Sequence, residues 1–250
     1  MRIIRVEHGG TSYYGILEDG LVFRLHQQPG HMEPIPLSEA KVLPLVTPSK
    51  VVCVGLNYKA HAEELGYPLP NMPSFFLKPP SSIIGNGEPI VLPSGMGRIE
   101  HEAELAMVVG KVCRNLTPEE AEESLFGFTC ANDVTAREVQ KVDPLIGHCK
   151  SYDTFCPIGP WIETELEDIN DLSIRCLVNG EVRQSANTGD MIFRPLDLLC
   201  FLSRVMTLMP GDVILTGTPP GISPIQADDV VQVSIEGIGT LSNPVEGPGP

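Results

Sequence analysis

Residues 98–110 read RIEHEAELAMVVG, and this stretch decides how the chain can fold. Side chains alternate between the two faces of a strand, so Glu100, Glu102 and Glu104 are predicted to project from one face. The run that follows is apolar and rich in Val, which is typical of a half-exposed strand that enters a buried sheet. Carboxylates that share a face repel each other and are costly to bury unpaired, so they lie either at a solvated edge or around a bound cation. The apolar continuation favours the cation.

The charge balance limits the partners of the chain. Its 250 residues include 17 basic and 32 acidic side chains, which gives a net charge of -15. This balance opposes binding to nucleic acid or to an anionic membrane surface. No apolar run approaches the ~20 residues of a membrane span, and the first residues lack the features of a signal peptide. A small anionic substrate would therefore need local help from a metal ion or from well-placed basic side chains.

The seven cysteines are widely scattered and form no C-x-x-C pair. An odd number without zinc spacing indicates reduced, mostly buried thiols in a cytoplasmic protein. The sequence also lacks a nucleotide-binding P-loop and the G-x-S-x-G elbow of serine hydrolases. The remaining possibility for a metal site is a set of carboxylates that binds a hard cation.

Short alternating runs separated by Gly-rich turns predict a small antiparallel β domain over residues 1–47. Residues 48–250 are predicted to form a second, larger domain, in which strands and turns alternate with a few helices. The sum is a mixed, β-dominated α+β fold. His31, in the passage that links the two parts, is interpreted as a solvated loop residue without chemistry.

Local sequence signals predict the two ends of a short helix, the start of a second helix and a hairpin. Asn57 is predicted to cap a short helix that ends at Gly66. Thr117 begins a helix with a capping box, because Pro and Glu follow at the required positions. The dipeptide Asn179–Gly180 predicts a hairpin with a type I′ turn.

Four polar residues lie at positions that suit a catalytic or binding role. His61 and Glu64 are three apart on the first helix and therefore share a face. A carboxylate beside an imidazole gives the arrangement of a general base, and an exposed pair on a surface turn is the alternative. Asp133 follows an apolar strand, where it could equally cap the next helical turn. Lys150 begins a segment rich in Pro and Gly, and such segments more often line sites than cores.

Several long phrases of the sequence together resemble the fumarylacetoacetate hydrolase family. They are VGLNYKAHAEE (54–64), FFLKP (75–79), HEAELAMVVGK (101–111), ANDVTAREVQ (131–140), KSYDTFCPIGPWI (150–162), VNGEVRQ (178–184) and GDVILTGTPPG (211–221). Many phrases in one order are far more specific than any single motif. The resemblance implies a mixed β-sandwich roll as the catalytic domain, usually dimeric, so a homodimer is expected.

The resemblance also implies a divalent cation, Mg²⁺ by preference, although Mn²⁺ or Ca²⁺ can occupy such sites. The family's ligands map onto Glu102, Glu104 and Asp133, whereas Glu100 falls outside the ligand pair. Hard oxygen ligands of this kind are those that Mg²⁺ favours. Lys78 is expected near these carboxylates, either as their counter-charge or close to the metal.

The same resemblance assigns roles around the metal. His61 and Glu64 would position or activate a water molecule for attack on a carbonyl of the substrate. Lys150 would neutralise and orient the substrate oxyanion. Arg137 and Gln140 would orient the substrate or the water.

The expected substrate is a small anionic 2-keto or 2,4-diketo acid, whose carboxylate Thr218 would bind through its hydroxyl and backbone N–H. Mg²⁺-dependent hydrolysis of C–C bonds in acylpyruvates is the first expectation, because the dyad would supply activated water. Isomerisation of 5-carboxymethyl-2-hydroxymuconate or 2-hydroxyhepta-2,4-diene-1,7-dioate, or decarboxylation or tautomerisation of oxaloacetate, is the alternative at the same metal site. A catalytically silent binding protein is a third reading, against which the intact site residues speak.

Overall fold

A computed structural model describes residues 1–25, 33–143 and 145–248. His31 therefore lies outside the described residues. The helices in these ranges are α1 (Lys59–Leu65), α2 (Pro118–Glu123), α3 (Arg137–Gln140), α4 (Gly147–Lys150) and α5 (Pro195–Val205). The strands are β1 (Arg2–His8), β2 (Thr11–Glu18), β3 (Leu21–Arg24), β4 (Ile35–Pro36), β5 (Lys41–Val42), β6 (Val51–Gly55), β7 (Ser74–Lys78), β8 (Ile83–Ile84), β9 (Ile90–Val91), β10 (Ile99–Glu100), β11 (Ala103–Val109), β12 (Leu125–Asn132), β13 (Thr135–Ala136), β14 (Cys156–Glu163), β15 (Ser173–Val178), β16 (Glu181–Asn187), β17 (Val213–Leu215), β18 (Val230–Ile235) and β19 (Gly239–Glu246).

Most strands belong to two sheets. The larger sheet has the order β4–β3–β2–β1–β14–β12–β11–β17–β6–β7, with β5 paired to β1 and β8 paired to β14. The second sheet has the order β16–β15–β18–β19–β9, and β10 pairs with β13. The predicted β-dominated α+β fold is confirmed. The N-terminal strands form the predicted antiparallel meander and continue the larger sheet, because β1 pairs with β14.

Strand β11 lies at the centre of the packing, since both of its faces are buried. Leu105 and Met107 point into a core shared with β15 and β18 of the second sheet. Ala106 and Val108 point the other way, into a core shared with β1 and β14. Burial on both faces explains why the sequence is a continuous apolar run here instead of an alternating one.

The prediction of one half-exposed strand over residues 98–110 is wrong. The segment forms two strands, β10 and β11, with an interruption at His101 and Glu102. The Glu102 N–H donates to the side-chain oxygen of Asn132 at 2.9 Å, where a regular ladder would supply a backbone carbonyl. Both strands and the residues between them are buried, so the glutamates do not lie at a solvated edge.

Three of the local signals are confirmed. Gly66 ends α1 in the left-handed conformation with φ of 71°. Thr117 caps α2 in a reciprocal capping box. Asn179 and Gly180 turn the β15–β16 hairpin with φ values of 54° and 81°, as a type I′ turn requires.

The predicted cap at Asn57 is wrong. Tyr58 occupies the capping position and makes no side-chain capping bond. The Asn57 side chain is buried, and its Nδ2 donates to the carbonyls of Phe193 at 2.9 Å and Thr216 at 2.7 Å. Asn57 thus ties the start of the helical segment to two distant loops.

All seven cysteines are free and buried, as predicted. Burial raises the pKa of the Cys156 thiol to about 12, so this thiol is neutral at pH 7. Within the described ranges, no helix combines the length and the apolar character needed to cross a bilayer.

Candidate active site

Three buried carboxylates meet at one end of β11 and β12. The two strands are antiparallel and pair Ala103 with Asn132. Glu102, which precedes Ala103, and Asp133, which follows Asn132, are therefore neighbours. Asp133 N–H accordingly donates to the Glu102 carbonyl at 2.8 Å. Carboxylate oxygens of Glu102, Glu104 and Asp133 lie within 4.8 Å of one another. The structure therefore brings together the three residues that the sequence predicts as ligands.

Basic side chains neutralise part of this cluster. Lys150 Nζ lies 2.7 Å from Glu102 Oε2 and 2.7 Å from Asp133 Oδ2. Lys78 Nζ lies 2.5 Å from the other oxygen of Asp133, and Arg137 Nη2 lies 2.6 Å from Glu102 Oε1. Burial disfavours the charged form of Glu102, but Lys150 and Arg137 outweigh it and hold its pKa below the usual range. Glu102 is thus ionised at neutral pH.

Glu104 is in a different electrostatic situation. Its Oε2 accepts a hydrogen bond from Gly217 N–H at 2.6 Å, and no salt bridge joins it to a Lys or Arg side chain of the described ranges. Burial, followed by the charges of Asp133 and Glu102, raises the pKa of Glu104 well above the usual range. A further cation beside Glu104 would relieve this penalty. Three clustered oxygen donors, of which Glu104 has no basic partner within the described ranges, fit a hard ion such as Mg²⁺ or Mn²⁺.

Glu100 does not join the triad and contacts Arg137 instead. Its Oε2 accepts from Arg137 Nε at 2.7 Å, and its other oxygen pairs with Arg98. Arg137 Nη1 also donates to Gln140 Oε1 at 2.5 Å. The guanidinium is therefore fixed among Glu100, Glu102 and Gln140.

The predicted dyad is formed on α1. His61 Nδ1 lies 2.8 Å from Glu64 Oε2, and the His61 side chain is buried. Since an ionised carboxylate can only accept, Nδ1 carries the proton and Nε2 is the basic nitrogen. The second oxygen of Glu64 accepts from Gly221 N–H at 3.0 Å, which connects α1 to the loop after β17.

Thr218 lies at the site, but its hydroxyl is already engaged. Thr218 Oγ1 donates to the Ala103 carbonyl at 2.9 Å and accepts from Gln184 Nε2 at 2.8 Å. Its hydroxyl hydrogen is therefore directed at Ala103 in this structure, and the expected contact with a substrate carboxylate stays a prediction. The sequence did not point to Gln184 or its neighbour His101, because a single buried polar residue has no sequence signature of its own.

These residues surround a cavity of about 310 Å³. Its polar and charged lining consists of His61, Glu102, Glu104, Asp133, Arg137, Gln140, Lys150 and Thr218. Its remaining wall consists of Val54, Gly55, Leu56, Leu65, Tyr67, Phe76 and Ile146. A second cavity of about 630 Å³ shares Leu65, Tyr67, Arg137, Gln140 and Ile146 with the first and extends it. The predicted site residues thus line the first cavity, except Glu64, which lines only the second cavity.

Two protein families match consecutive parts of the chain. Residues 50–246 match the family described as fumarylacetoacetate (FAA) hydrolase C-terminal, and residues 1–44 match the family described as Rv2993c-like, N-terminal.

Solved structures and sequences of named enzymes are similar over most of their length. A 5-carboxymethyl-2-hydroxymuconate delta-isomerase from Mycobacterium smegmatis has 42% sequence identity and a TM-score of 0.92, with 100% of both chains covered. A maleylpyruvate hydrolase from Sphingobium sp. SYK-6, solved with a manganese(II) ion and pyruvate, has 30% identity and a TM-score of 0.84, again with 100% of both chains covered. The mitochondrial oxaloacetate tautomerase FAHD2A of Homo sapiens is 42% identical over 225 residues, which are 84% of this chain and 71% of that protein.

Proposed function

Because the chain belongs to the fumarylacetoacetate hydrolase family, we propose that it is a Mg²⁺-dependent enzyme that hydrolyses a C–C bond in acylpyruvate-type diketo acids. Similar proteins are named as an isomerase, a hydrolase and a tautomerase, so the activity belongs to this group of reactions. The observation that carries the choice of hydrolysis is the His61–Glu64 dyad, in which His61 lines the cavity of the three carboxylates.

Glu102, Glu104 and Asp133 are the residues that would hold the ion. Their oxygen donors and the raised pKa of Glu104 fit a hard divalent cation. When bound, such an ion stabilises negative charge that develops on substrate oxygens, an effect worth several kcal/mol. The manganese(II) and pyruvate in the maleylpyruvate hydrolase structure support a divalent ion and a keto acid for this chain as well.

His61 acts as the general base in this proposal. Its Nε2 takes a proton from a water molecule, whose oxygen attacks the acyl carbonyl of the diketo acid. The C–C bond between this carbonyl carbon and the neighbouring CH₂ then breaks, which releases a carboxylic acid and the enolate of pyruvate. The enolate takes up a proton to give pyruvate. A positioned general base contributes roughly 10²–10⁴-fold to such a step.

Lys150 and the residues of the wall orient the substrate. Burial disfavours the Lys150 ammonium, but Asp133 and Glu102 outweigh it and raise its pKa, so Lys150 stays cationic beside the developing oxyanion. Gln140 lines both cavities, and Arg137 holds it through a hydrogen bond. Since its hydroxyl hydrogen is used, Thr218 would contact a substrate carboxylate through its backbone N–H.

The second candidate is keto–enol tautomerisation of oxaloacetate. The observation that favours a reaction without attacking water is the 42% identity to the human tautomerase and to the delta-isomerase, against 30% to the maleylpyruvate hydrolase. In this reaction His61 would move a proton from carbon to oxygen, and no water would attack. The same cavity and the same carboxylates would serve.

An assay with parallel substrates tests both candidates. Purified protein with Mg²⁺ is given acetylpyruvate, whose loss is followed by its ultraviolet absorbance, and separately oxaloacetate and a hydroxymuconate-type diacid. Cleavage of acetylpyruvate to acetate and pyruvate that EDTA abolishes and added Mg²⁺ restores is the expected result. Turnover of only the other two substrates would replace hydrolysis by tautomerisation or isomerisation.

A further inference from the structure

Gln184 lies on β16 of the second sheet, yet its side chain binds the backbone of Ala103, the residue between Glu102 and Glu104 in the larger sheet. The residue is 1% exposed, whereas its three predecessors on the strand are exposed. It therefore crosses the interface between the sheets as an isolated polar group, and a buried amide is costly unless all of its hydrogen-bonding groups are used.

All four of these groups have partners. Gln184 Oε1 accepts from Ala103 N–H at 3.0 Å and lies 3.1 Å from His101 Nδ1. Its Nε2 donates to Thr218 Oγ1 at 2.8 Å and to the Pro219 carbonyl at 2.7 Å. Because Ala103 N–H can only donate and the Pro219 carbonyl can only accept, the orientation of the amide is fixed. His101 Nδ1 must then carry the proton, and Ser223 Oγ donates to Nε2 over 2.8 Å.

The bonds close a ring around the residue between two of the carboxylates. Gln184 holds the N–H of Ala103, and Thr218 Oγ1, itself held by Gln184, donates to the Ala103 carbonyl at 2.9 Å. Ala103 separates Glu102 from Glu104. The loop of Thr218 also supplies the Gly217 N–H that binds Glu104 Oε2 at 2.6 Å. The Gln184 side chain thus holds both the backbone between Glu102 and Glu104 and the loop 217–219 that faces it.

We propose that Gln184 is a positioning residue for the divalent ion: it holds the segment 102–104 and the loop 217–219 in the mutual position that the three carboxylates need. This inference rests on the proposed metal-dependent function. Groups that hold ligands without touching the metal typically change metal affinity by roughly 10–100-fold when they are replaced.

The test measures Mn²⁺ affinity on the full chain, without any substrate. The paramagnetic signal of free Mn²⁺ is titrated against the wild type, Gln184→Met and the control Asn243→Leu. Asn243 is also buried in the second sheet, and its Nδ2 donates to the carbonyls of Gly85 and Glu88, both at 2.8 Å. Loss of a buried amide therefore destabilises both variants, but only Gln184→Met is expected to weaken Mn²⁺ binding, by about 10–100-fold.

Gln184→Glu provides a second measurement if Gln184→Met does not fold. It preserves the shape and the acceptor for Ala103 N–H, but places an oxygen opposite Thr218 and the Pro219 carbonyl, so the same weakening is expected. Wild-type affinity, within twofold, in a folded Gln184 variant would overturn the positioning role alone. An equal loss in Asn243→Leu would also overturn it. A wild type that binds no Mn²⁺ would overturn the metal-dependent function itself.

Discussion

Lys150 Nζ lies 2.7 Å from Glu102 Oε2, so a buried ammonium is in direct contact with a carboxylate that is proposed to bind a metal ion. The same nitrogen lies 2.7 Å from Asp133 Oδ2. The ammonium therefore spans two carboxylates, and together with Arg137 it outweighs burial and holds the pKa of Glu102 below the usual range. This arrangement keeps Glu102 ionised and, in the proposed mechanism, places a positive charge next to the substrate.

Replacing Lys150 separates these two roles. In Lys150→Met the ammonium that meets the substrate oxyanion is lost, so kcat is expected to fall by about 10²–10³-fold. Mn²⁺ affinity should not fall, because a competing cation has been removed from Glu102 and Asp133. Steady-state kinetics and a Mn²⁺ titration check both statements. A parallel loss of metal binding would show that Lys150 mainly organises the carboxylates.

The metal ligands can be distinguished from a neighbouring glutamate. Glu102→Gln is expected to abolish Mn²⁺ binding at millimolar metal and all EDTA-sensitive turnover, because one of three charged donors is removed. Glu100→Gln is the matched control, since Glu100 is equally buried but contacts Arg137 and Arg98. It should bind Mn²⁺ within tenfold of the wild type. Calorimetric titration measures both variants, and the ligand assignment fails if they behave alike.

His61→Ala tests the base. Hydrolysis of acetylpyruvate should fall by about 10²–10⁴-fold while Mn²⁺ affinity is retained, because His61 contacts Glu64 and not the three carboxylates. His8→Ala, in the N-terminal strand β1, serves as the control and should leave kcat unchanged. Retention of kcat in His61→Ala would mean that the imidazole only shapes the cavity.

Asp212, a buried aspartate that does not line the cavity, is expected to contribute to the pH dependence of stability. Asp212 is 0% exposed and accepts from Ser49 N–H at 2.9 Å, Ser49 Oγ at 2.7 Å, Met209 N–H at 2.8 Å and Lys50 Nζ at 2.5 Å. Burial disfavours its charge, but these donors outweigh it and hold its pKa below the usual range. The unfolded-state pKa is about 3.9, so the stabilisation is fully present above that value and is lost as pH falls through the folded-state pKa.

Asp212→Asn is therefore expected to lower the free energy of unfolding by roughly 2–3 kcal/mol at pH 7, because hydrogen bonds to a buried charge are replaced by weaker and mismatched ones. The difference from the wild type should shrink below about pH 4. Urea unfolding at pH 7 and pH 3 measures both effects. Asp228→Asn, at an exposed aspartate, should change little at either pH. A difference that is constant with pH would contradict the role of the charge.

Local patterns predicted the fold class, whereas most of the site was predicted from the resemblance of several long phrases to a known family. The Thr117 capping box and the Asn179–Gly180 turn involve neighbours in the chain and could be predicted. Residues whose partners lie far away in the chain could not. Asn57 has the composition of a helix cap, but its side chain binds the carbonyls of Phe193 and Thr216.

The same limit applies to residues 98–110. The pattern predicts one strand, because the alternation of glutamates satisfies the two-residue period. The interruption depends on the side chain of Asn132 and on Gln184, which bind the backbone at Glu102 and Ala103. Neither contact can be inferred from the spacing of residues within 98–110.

The double burial of β11 has a consequence for how the protein opens. Exchange of its amide hydrogens with solvent requires both cores to separate, so the backbone that carries Glu104 should open only on global unfolding. Helix α1 has only seven residues and buries only His61 and Ala62. Its amides can exchange through local opening at a much lower free energy. Glu104 is thus expected in the slowest-exchanging part of the molecule, while the proposed base lies on a segment expected to open at a lower free energy.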